Sequence, residues 1–187
     1  MSTASVTTPA LVTAEEFARR PDPGHPEELV RGRIVPMPMP KRRHGEICGK
    51  AVRILGNWGD DHDLGRLPGN DTGVITERRP DTVRGADVSF YSFVRVPKGP
   101  LPDRYLDTPP ELIVEVLSPN DRWPKVLAKV AEYLEAGTVV VLVLDDQRRM
   151  AQEYRADGTT RLYGADDELT IPDLLGEFRV RVRRFFE

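Results

Sequence analysis

The sequence feature that most constrains the fold is residues 109–120, an almost wholly apolar run that carries an internal acidic residue. Two prolines open it, and residues 112–117 then have the apolar, β-branched composition of a short buried strand. Strand alternation places Glu115 on the same face as Ile113 and Leu117. A carboxylate is almost never fully buried unless it pairs or binds a metal. Glu115 is therefore either salt-bridged to an arginine or acts as a metal ligand or catalytic acid.

The chain that follows predicts a strand–helix–strand unit. Pro124 suits the first position of a helix, and Gly137 suits the residue just past its end. Residues 138–145 are almost continuously apolar, which is typical of a strand buried on both faces. Together these elements fit a right-handed crossover between two parallel strands. The helix is expected to bury one stripe and to turn its lysines away from it; the stripe consists of Leu127, Val130 and Leu134.

Capping, periodicity and turn signals predict the remaining elements. They are a capped helix at 13–20, a hairpin at 28–37, a helix at 45–60, strands at 73–76 and 86–91, a hairpin at 150–163 and an alternating strand at 178–183. Residues 59–72 and 95–108 are rich in glycine, proline and charge, and are expected to form loops.

Size and composition favour one domain over residues 11–187, preceded by a flexible N-terminus over residues 1–10. No apolar run approaches the roughly 20 residues needed to cross a bilayer, and no secretory signal is predicted. A single cysteine, Cys48, excludes a disulfide framework and a cysteine-rich zinc site within one chain, and fits a cytoplasmic location. The net charge of −3 gives no general attraction to nucleic acid, so any such contact requires local basic patches.

One local basic patch precedes the predicted helix 45–60. Lys41, Arg42, Arg43 and His44 are consecutive, and a helix N-terminus adds a further preference for an anionic partner. The alternative is a solvated loop that binds nothing.

Two acidic residues on neighbouring predicted strands suggest a shared site. Asp87 lies at the start of strand 86–91, where its commonest role is simply to begin a strand or turn. Together with Glu115 it could instead hold a hard divalent cation such as Mg²⁺, which prefers carboxylate and water oxygens. Such an ion polarises a phosphate oxygen and lowers the pKa of a bound water. A nearby ammonium would stabilise the hydroxide and the added negative charge.

In addition, the chain resembles the Uma-two-type restriction endonucleases of the PD-(D/E)XK nuclease superfamily. The resemblance runs from the capped first helix to the strand at Phe178, and it depends on the order and spacing of several short motifs. These are Glu28-Leu29-Val30, His44-Gly45, Asp87-Val88, Glu115-Val116-Leu117-Ser118, and Lys129, Tyr133 and Gly137 on or after one helix.

The resemblance implies an α/β, restriction-endonuclease-like fold, in which helices flank a mixed β-sheet with added N-terminal and C-terminal β-hairpins. It implies a DNA endonuclease that uses Mg²⁺ or Mn²⁺, with Asp87 and Glu115 as metal ligands. Leu117 stands where the superfamily has its lysine, so the ammonium is expected from Lys129 on the next helix, or from Lys125 one turn earlier. Glu28 would be an accessory catalytic carboxylate.

By the same reading, Arg42, Arg43, His44 and Lys125 would contact DNA. A homodimer would supply the two active sites that double-strand cleavage needs. The alternatives are a non-catalytic nucleic-acid-binding or assembly module on the same fold, and a structural domain whose carboxylates pair with arginine.

Overall fold

The architecture is a large mixed sheet with helices on both faces. The computed structural model describes residues 10–119 and 121–187, so the expectation for the N-terminus lies almost wholly outside the described residues. The elements in those two ranges are α1(Ala14–Ala18), β1(Glu27–Val30), β2(Arg33–Pro36), α2(Arg42–Asp61), β3(Gly65–Arg66), β4(Gly69–Glu77), β5(Thr82–Ser92), β6(Leu112–Val116), α3(Trp123–Glu135), β7(Val140–Asp145), β8(Met150–Arg155), β9(Thr160–Tyr163), β10(Glu168–Leu169), α4(Pro172–Leu175), β11(Val180–Arg181) and a 3-10 helix over Val182–Phe185.

The main sheet has the strand order β2-β1-β5-β6-β7-β8-β9, and β3 and β4 also pair with β5. Strands β6 and β7 are parallel, with Ile113 opposite Val141, which confirms the predicted parallel pair joined through α3. The other pairings in this sheet are antiparallel. The predicted α/β class, with a mixed sheet flanked by helices, is therefore confirmed.

The two long helices cover opposite faces of this sheet. Helix α2 buries Ile47, Ala51 and Leu55 against one face of β5, β6 and β7. Helix α3 buries Val130 and Tyr133 against the other face. Because the central strands are covered on both sides, their runs are apolar throughout, as predicted for β7.

Short sequence motifs predict the elements at the edges of the sheet, namely the first helix and the two hairpins. Thr13 caps α1 and forms the predicted capping box with Glu16. The hairpin β1–β2 turns at Arg31 and Gly32, both with positive φ, and β8–β9 forms the hairpin near the C-terminus. Both added hairpins of the predicted fold are therefore present.

Three predicted boundaries in the first half of the chain were wrong. Helix α2 begins at Arg42, so the basic residues up to His44 form its first turn instead of a preceding loop. The expected loop at 59–72 contains β3 and the start of β4, which pair with β5 despite their turn-prone residues. Asp87 consequently lies in the middle of β5, because β5 extends from Thr82 to Ser92 to match these partners.

The predicted stripe of α3 was also wrong in part. Leu127 is 43% exposed, whereas Tyr133 is fully buried. The helix is rotated so that Lys129 and Tyr133 face the sheet, where both hydrogen-bond to Glu115. The face of α3 that meets the sheet is therefore partly polar, and Leu127 lies outside it.

The alternating strand predicted at 178–183 was wrong as well. Strand β11 spans only Val180–Arg181, and a 3-10 helix follows it. The chain turns there because Val182 and Phe185 bury themselves in the cluster that also holds α2. The arginines of this segment therefore do not share one strand face.

None of the helices in the described ranges combines the length and apolar character needed to cross a bilayer.

Candidate active site

The centre of the site is Glu115, which β6 presents to helix α3. Lys129 Nζ donates a hydrogen bond to Glu115 Oε2 at 3.1 Å, and Tyr133 Oη donates to Oε1 at 2.9 Å. Lys129 and Tyr133 are four residues apart, so they project from the same face of α3, one turn apart. Both oxygens of this carboxylate are therefore held by the same helix.

The ammonium of Lys129 has two further partners. It donates to the backbone oxygen of Gly85 at 2.8 Å and lies 3.4 Å from Glu28 Oε1. Burial by itself would lower the pKa of Lys129, but the charges of Glu115, Glu28 and Asp87 outweigh it and raise the pKa overall. This side chain is consequently a fixed positive charge within a group of carboxylates.

Glu115 itself holds its proton more tightly than an ordinary glutamate. Burial, the largest effect, and the negative charge of Asp87 raise the pKa of Glu115 to about 7, against the lowering effect of Lys129 and Tyr133. The metal-free carboxyl group therefore takes up a proton at a higher pH than an ordinary glutamate does. A bound cation would favour the ionised form.

Asp87 lies on β5 at the place where β5 and β6 separate. The register pairs Val88 with Val114, which brings Asp87 next to Glu115 across the two strands. Asp87 is 7% exposed, and its Oδ2 accepts a hydrogen bond from Val116 N at 2.7 Å. Burial works to raise the pKa of Asp87, but His44, the Val116 amide and Lys129 together lower it. Asp87 is therefore ionised in the folded protein.

His44 reaches Asp87 from the first turn of α2. Its Nε2 lies 3.3 Å from Asp87 Oδ2, and its Nδ1 lies 3.5 Å from Cys48 Sγ. The hydrogen bond to Asp87, followed by that to Cys48, raises the pKa of His44 to about 11. Burial raises the pKa of the Cys48 thiol. The sequence predicts His44 as a nucleic-acid contact; in the structure its side chain contacts Asp87 and Cys48, beside the site carboxylates.

Sequence reasoning missed Asp71. Strand β4 contains a register shift between Gly69 and Thr72, so Asn70 and Asp71 form a bulge beside Asp87. Both bulge residues have positive φ, 63° and 53°, a conformation that Asn and Asp tolerate better than most residues. Burial, followed by the charge of Asp87, raises the pKa of Asp71. The adjacent Asn-Asp pair was the available signal, and it was read as part of a loop.

Glu28 is brought to the same site but is already engaged. It is 4% exposed, and its two oxygens accept from Arg84 Nη1 at 2.8 Å and Gly85 N at 3.1 Å. Arg84 also binds Glu132 through two bonds of 2.6 and 2.7 Å. These contacts fix hairpin β1–β2 against β5 and hold Glu28 beside Lys129.

The other predicted DNA contacts lie outside this group. Arg42 is exposed and contacts Glu46, while Arg43 forks onto Asp146 and donates to the backbone oxygen of Phe186. Lys125 is exposed and forms no ion pair with any residue in the described ranges.

The donor atoms fit a hard divalent cation. Asp87 and Glu115 supply carboxylate oxygens from adjacent strands, and Asp71 adds a third carboxylate nearby. Each carboxylate offers about four lone-pair sites, so the present hydrogen bonds leave capacity for a ligand. Leu117 offers no charge, whereas Lys129 places an ammonium beside Glu115. The residues present could therefore hold Mg²⁺ or Mn²⁺.

This fold, with its carboxylates where two central strands separate, defines a restriction-endonuclease-like α/β protein. A family model, Uma2, described as "Putative restriction endonuclease", matches residues 14–183. The chain belongs to the Uma2 family.

A solved structure supports the fold assignment. It is described as a putative nuclease belonging to DUF820 from Anabaena variabilis ATCC 29413, and it superposes with a TM-score of 0.81 at 22% sequence identity. The match covers 94% of this chain and 97% of that chain. A search of curated proteins found no match.

Proposed function

We propose that this protein is a Mg²⁺-dependent endonuclease that hydrolyses phosphodiester bonds in DNA. The observation that carries the proposal is the contact between Lys129 and Glu115, made directly beside Asp87. It combines carboxylates for a divalent ion with an ammonium for developing negative charge. The description of the family and that of the Anabaena protein support a nuclease.

In the proposed reaction, Asp87 and Glu115 would hold the cation, which would supply polarisation of a phosphate oxygen and a water ligand of lowered pKa. Lys129 would stabilise the attacking hydroxide and the charge that accumulates on the phosphate oxygens. The new P–O bond forms as the bond to the leaving sugar oxygen breaks, and that oxygen takes a proton from solvent water. Tyr133 keeps the Glu115 carboxylate oriented through its hydrogen bond to Oε1. Glu28 accepts a proton or orients water only if it is partly released from Arg84.

The exposed cations Arg42 and Lys125 are the proposed contacts with the DNA backbone, since both are available to solvent. Arg43 is proposed to contribute less to DNA binding, because its charge is neutralised by Asp146.

We further propose a homodimer, because cutting both strands requires two sites. The proposed place of action is the cytoplasm, in keeping with the free thiol of Cys48.

The test is a cleavage assay on plasmid DNA, single-stranded DNA and RNA with Mg²⁺, Mn²⁺ or EDTA. We expect nicking or linearisation of the plasmid that requires the divalent ion and that disappears in Glu115→Gln and Asp87→Asn. Equal cleavage by Glu115→Gln, or cleavage in EDTA, would refute the proposal. The variants are checked for folding by circular dichroism, so that lost activity is not confused with lost structure.

A second function is favoured by one structural observation. Three of the four carboxylates at the site already have a basic partner, namely Arg84 for Glu28, His44 for Asp87 and Lys129 for Glu115. A non-catalytic nucleic-acid-binding or assembly module would need no more than this. It predicts salt-dependent DNA binding that is unaffected by EDTA and is not followed by cleavage.

A further inference from the structure

A second type of donor set lies immediately beside the proposed magnesium ligands. One ring nitrogen of His44, the sulfur of Cys48 and one carboxylate oxygen of Asp87 all lie within 4.8 Å of one another. The three side chains combine nitrogen, sulfur and oxygen, which is the donor chemistry of zinc-type ions. The Mg²⁺ proposal uses only Asp87 of these three.

Secondary structure positions this group. His44 and Cys48 are four residues apart in α2, so they project from the same face in successive turns. Asp87 approaches from β5 and is oriented by the backbone amide of Val116. The side chains of His44 and Asp87 are only 12% and 9% exposed, so the site is largely shielded from water.

We propose that His44, Cys48 and Asp87 form a binding site for a zinc-type transition-metal ion, distinct in ligand chemistry from the magnesium site. A tetrahedral ion at 2.3 Å from sulfur and 2.0–2.1 Å from nitrogen separates those two atoms by about 3.6 Å. The Nδ1–Sγ distance is 3.5 Å.

The ligand types select against magnesium. A thiolate and an imidazole bind zinc, cobalt and copper ions well, whereas Mg²⁺ prefers oxygen donors and retains water. The thiol proton of Cys48 and the proton on the coordinating ring nitrogen of His44 both leave to solvent when the ion binds, because the ligands are a thiolate and a neutral imidazole. Asp71, which lies beside Asp87, is the candidate for the fourth position, with water as its substitute.

The proposed binding of a zinc-type ion does not depend on the proposed nuclease function. One consequence of that binding does rest on the proposed function. Asp87 belongs to both donor sets, so a zinc-type ion would compete with Mg²⁺ for that carboxylate. Zinc at low concentration would then inhibit DNA cleavage, and excess Mg²⁺ would relieve the inhibition. Metal binding is measured without DNA, so its failure and the failure of the nuclease proposal remain distinguishable.

The test is a titration of the chelator-treated full-length protein with Co²⁺, followed by absorption spectroscopy. We expect one equivalent to bind and to give both a thiolate-to-cobalt charge-transfer band and the strong visible bands of tetrahedral cobalt. Cys48 is the only cysteine in the chain, so a charge-transfer band identifies the Cys48 thiolate as a ligand of the cobalt ion. Zn²⁺ should displace the cobalt and abolish both bands.

Variants separate this site from others. Cys48→Ala should abolish the charge-transfer band, and His44→Gln should weaken binding by more than the roughly 10–100-fold that losing an outer-shell partner costs. His62→Gln is the matched control, because His62 caps the other end of the same helix and stacks on Trp58. It should bind cobalt like the wild-type protein.

A measurement on the wild-type protein covers the case in which a variant fails to fold. Bound Zn²⁺ should slow the reaction of Cys48 with a thiol reagent at least tenfold, and Mg²⁺ should not. Absence of a charge-transfer band, absence of thiol protection by zinc, or unchanged cobalt binding in folded Cys48→Ala and His44→Gln would each overturn the proposal.

Discussion

Lys129 Nζ lies 3.1 Å from Glu115 Oε2, although the two residues are fourteen positions apart in the chain. Two residues after Glu115 stands Leu117, which cannot supply a charge to the site. The positive charge at the site therefore comes from Lys129 on helix α3, because strand β6 and its continuation carry no lysine. The same ammonium also faces Glu28, so one positive charge offsets part of the negative charge of two carboxylates.

Replacing this lysine separates catalysis from metal binding. We expect Lys129→Met to reduce cleavage about 100-fold or more, because negative charge developing on the phosphate loses its nearest ammonium. Mg²⁺ affinity should be kept or increased, because a positive charge beside the carboxylates is removed. Cleavage kinetics and calorimetric titration with Mg²⁺ measure the two effects.

Lys125→Met is the matched control, one turn earlier on the same helix and exposed to solvent. It should leave the chemical step unchanged and weaken DNA binding modestly. A larger loss of cleavage in Lys125→Met than in Lys129→Met would reverse the assignment of the two lysines.

Metal binding should depend on pH through Glu115, whose pKa is raised to about 7 in the metal-free protein. The cation needs the ionised carboxylate, so each unit below pH 7 should weaken Mg²⁺ binding about tenfold. Above pH 8 the affinity should level off. Titrations from pH 5.5 to 8.5 test this, and an affinity that does not change across pH 7 would contradict it.

The raised pKa of Glu115 also makes the stability of the metal-free protein depend on pH. Stability should fall as the pH rises, whereas Mg²⁺ affinity should increase. The pKa of Glu115 is higher in the folded state than its ordinary value of 4.5, so the folded state binds the proton more tightly. The resulting stabilisation is complete below about pH 4.5 and is lost as the pH rises through about 7. The total amounts to about 3 kcal/mol at most.

Chemical denaturation at several pH values, in the presence of EDTA, measures this effect. The free energy of unfolding of the wild-type protein should fall relative to that of Glu115→Gln between pH 5 and 8. Parallel curves for the two proteins would show that Lys129 compensates fully for the burial of Glu115.

Arg84 is predicted to be important for stability more than for chemistry. It binds Glu28 and Glu132 at once, so Arg84→Met leaves two carboxylates without their partner. We expect the free energy of unfolding to fall by about 3 kcal/mol, as for other broken buried pairs. Arg42→Met, at an exposed arginine, is the control and should change stability by less than about 0.5 kcal/mol.

The pairing of β3 with β5 can be tested by substituting Gly65 in β3, with Gly49 on α2 as the control. A Cβ at Gly65 would lie 2.2 Å from the backbone oxygen of Tyr91, so Gly65→Ala must disrupt that pairing. We expect a loss of more than about 2 kcal/mol, measured by thermal or denaturant unfolding. Gly49→Ala, where nothing lies within 4 Å on α2, should instead stabilise by about 0.5–1 kcal/mol. Equal effects of the two changes would contradict the structure.

The sequence by itself predicted the elements whose pattern is strong and local. Strand β7 is apolar throughout because both faces are covered, and the cap at Thr13 uses contacts three residues apart. The parallel pairing of β6 with β7 was predicted from the strand–helix–strand order, since parallel strands need a long crossover connection. The resemblance to the Uma-two-type family also indicated Asp87, Glu115 and Lys129 without coordinates.

Only the tertiary structure decided which polar residues meet. Asp71 joins the site through a bulge, and a bulge is set by pairing with β5 instead of by local composition. His44 and Cys48 reach Asp87 because α2 packs across the sheet, and the 3-10 helix after Val180–Arg181 forms because aromatic residues bury there. Periodicity reports the average burial of a face within one element. Contacts between elements depend on their packing, which no local pattern encodes.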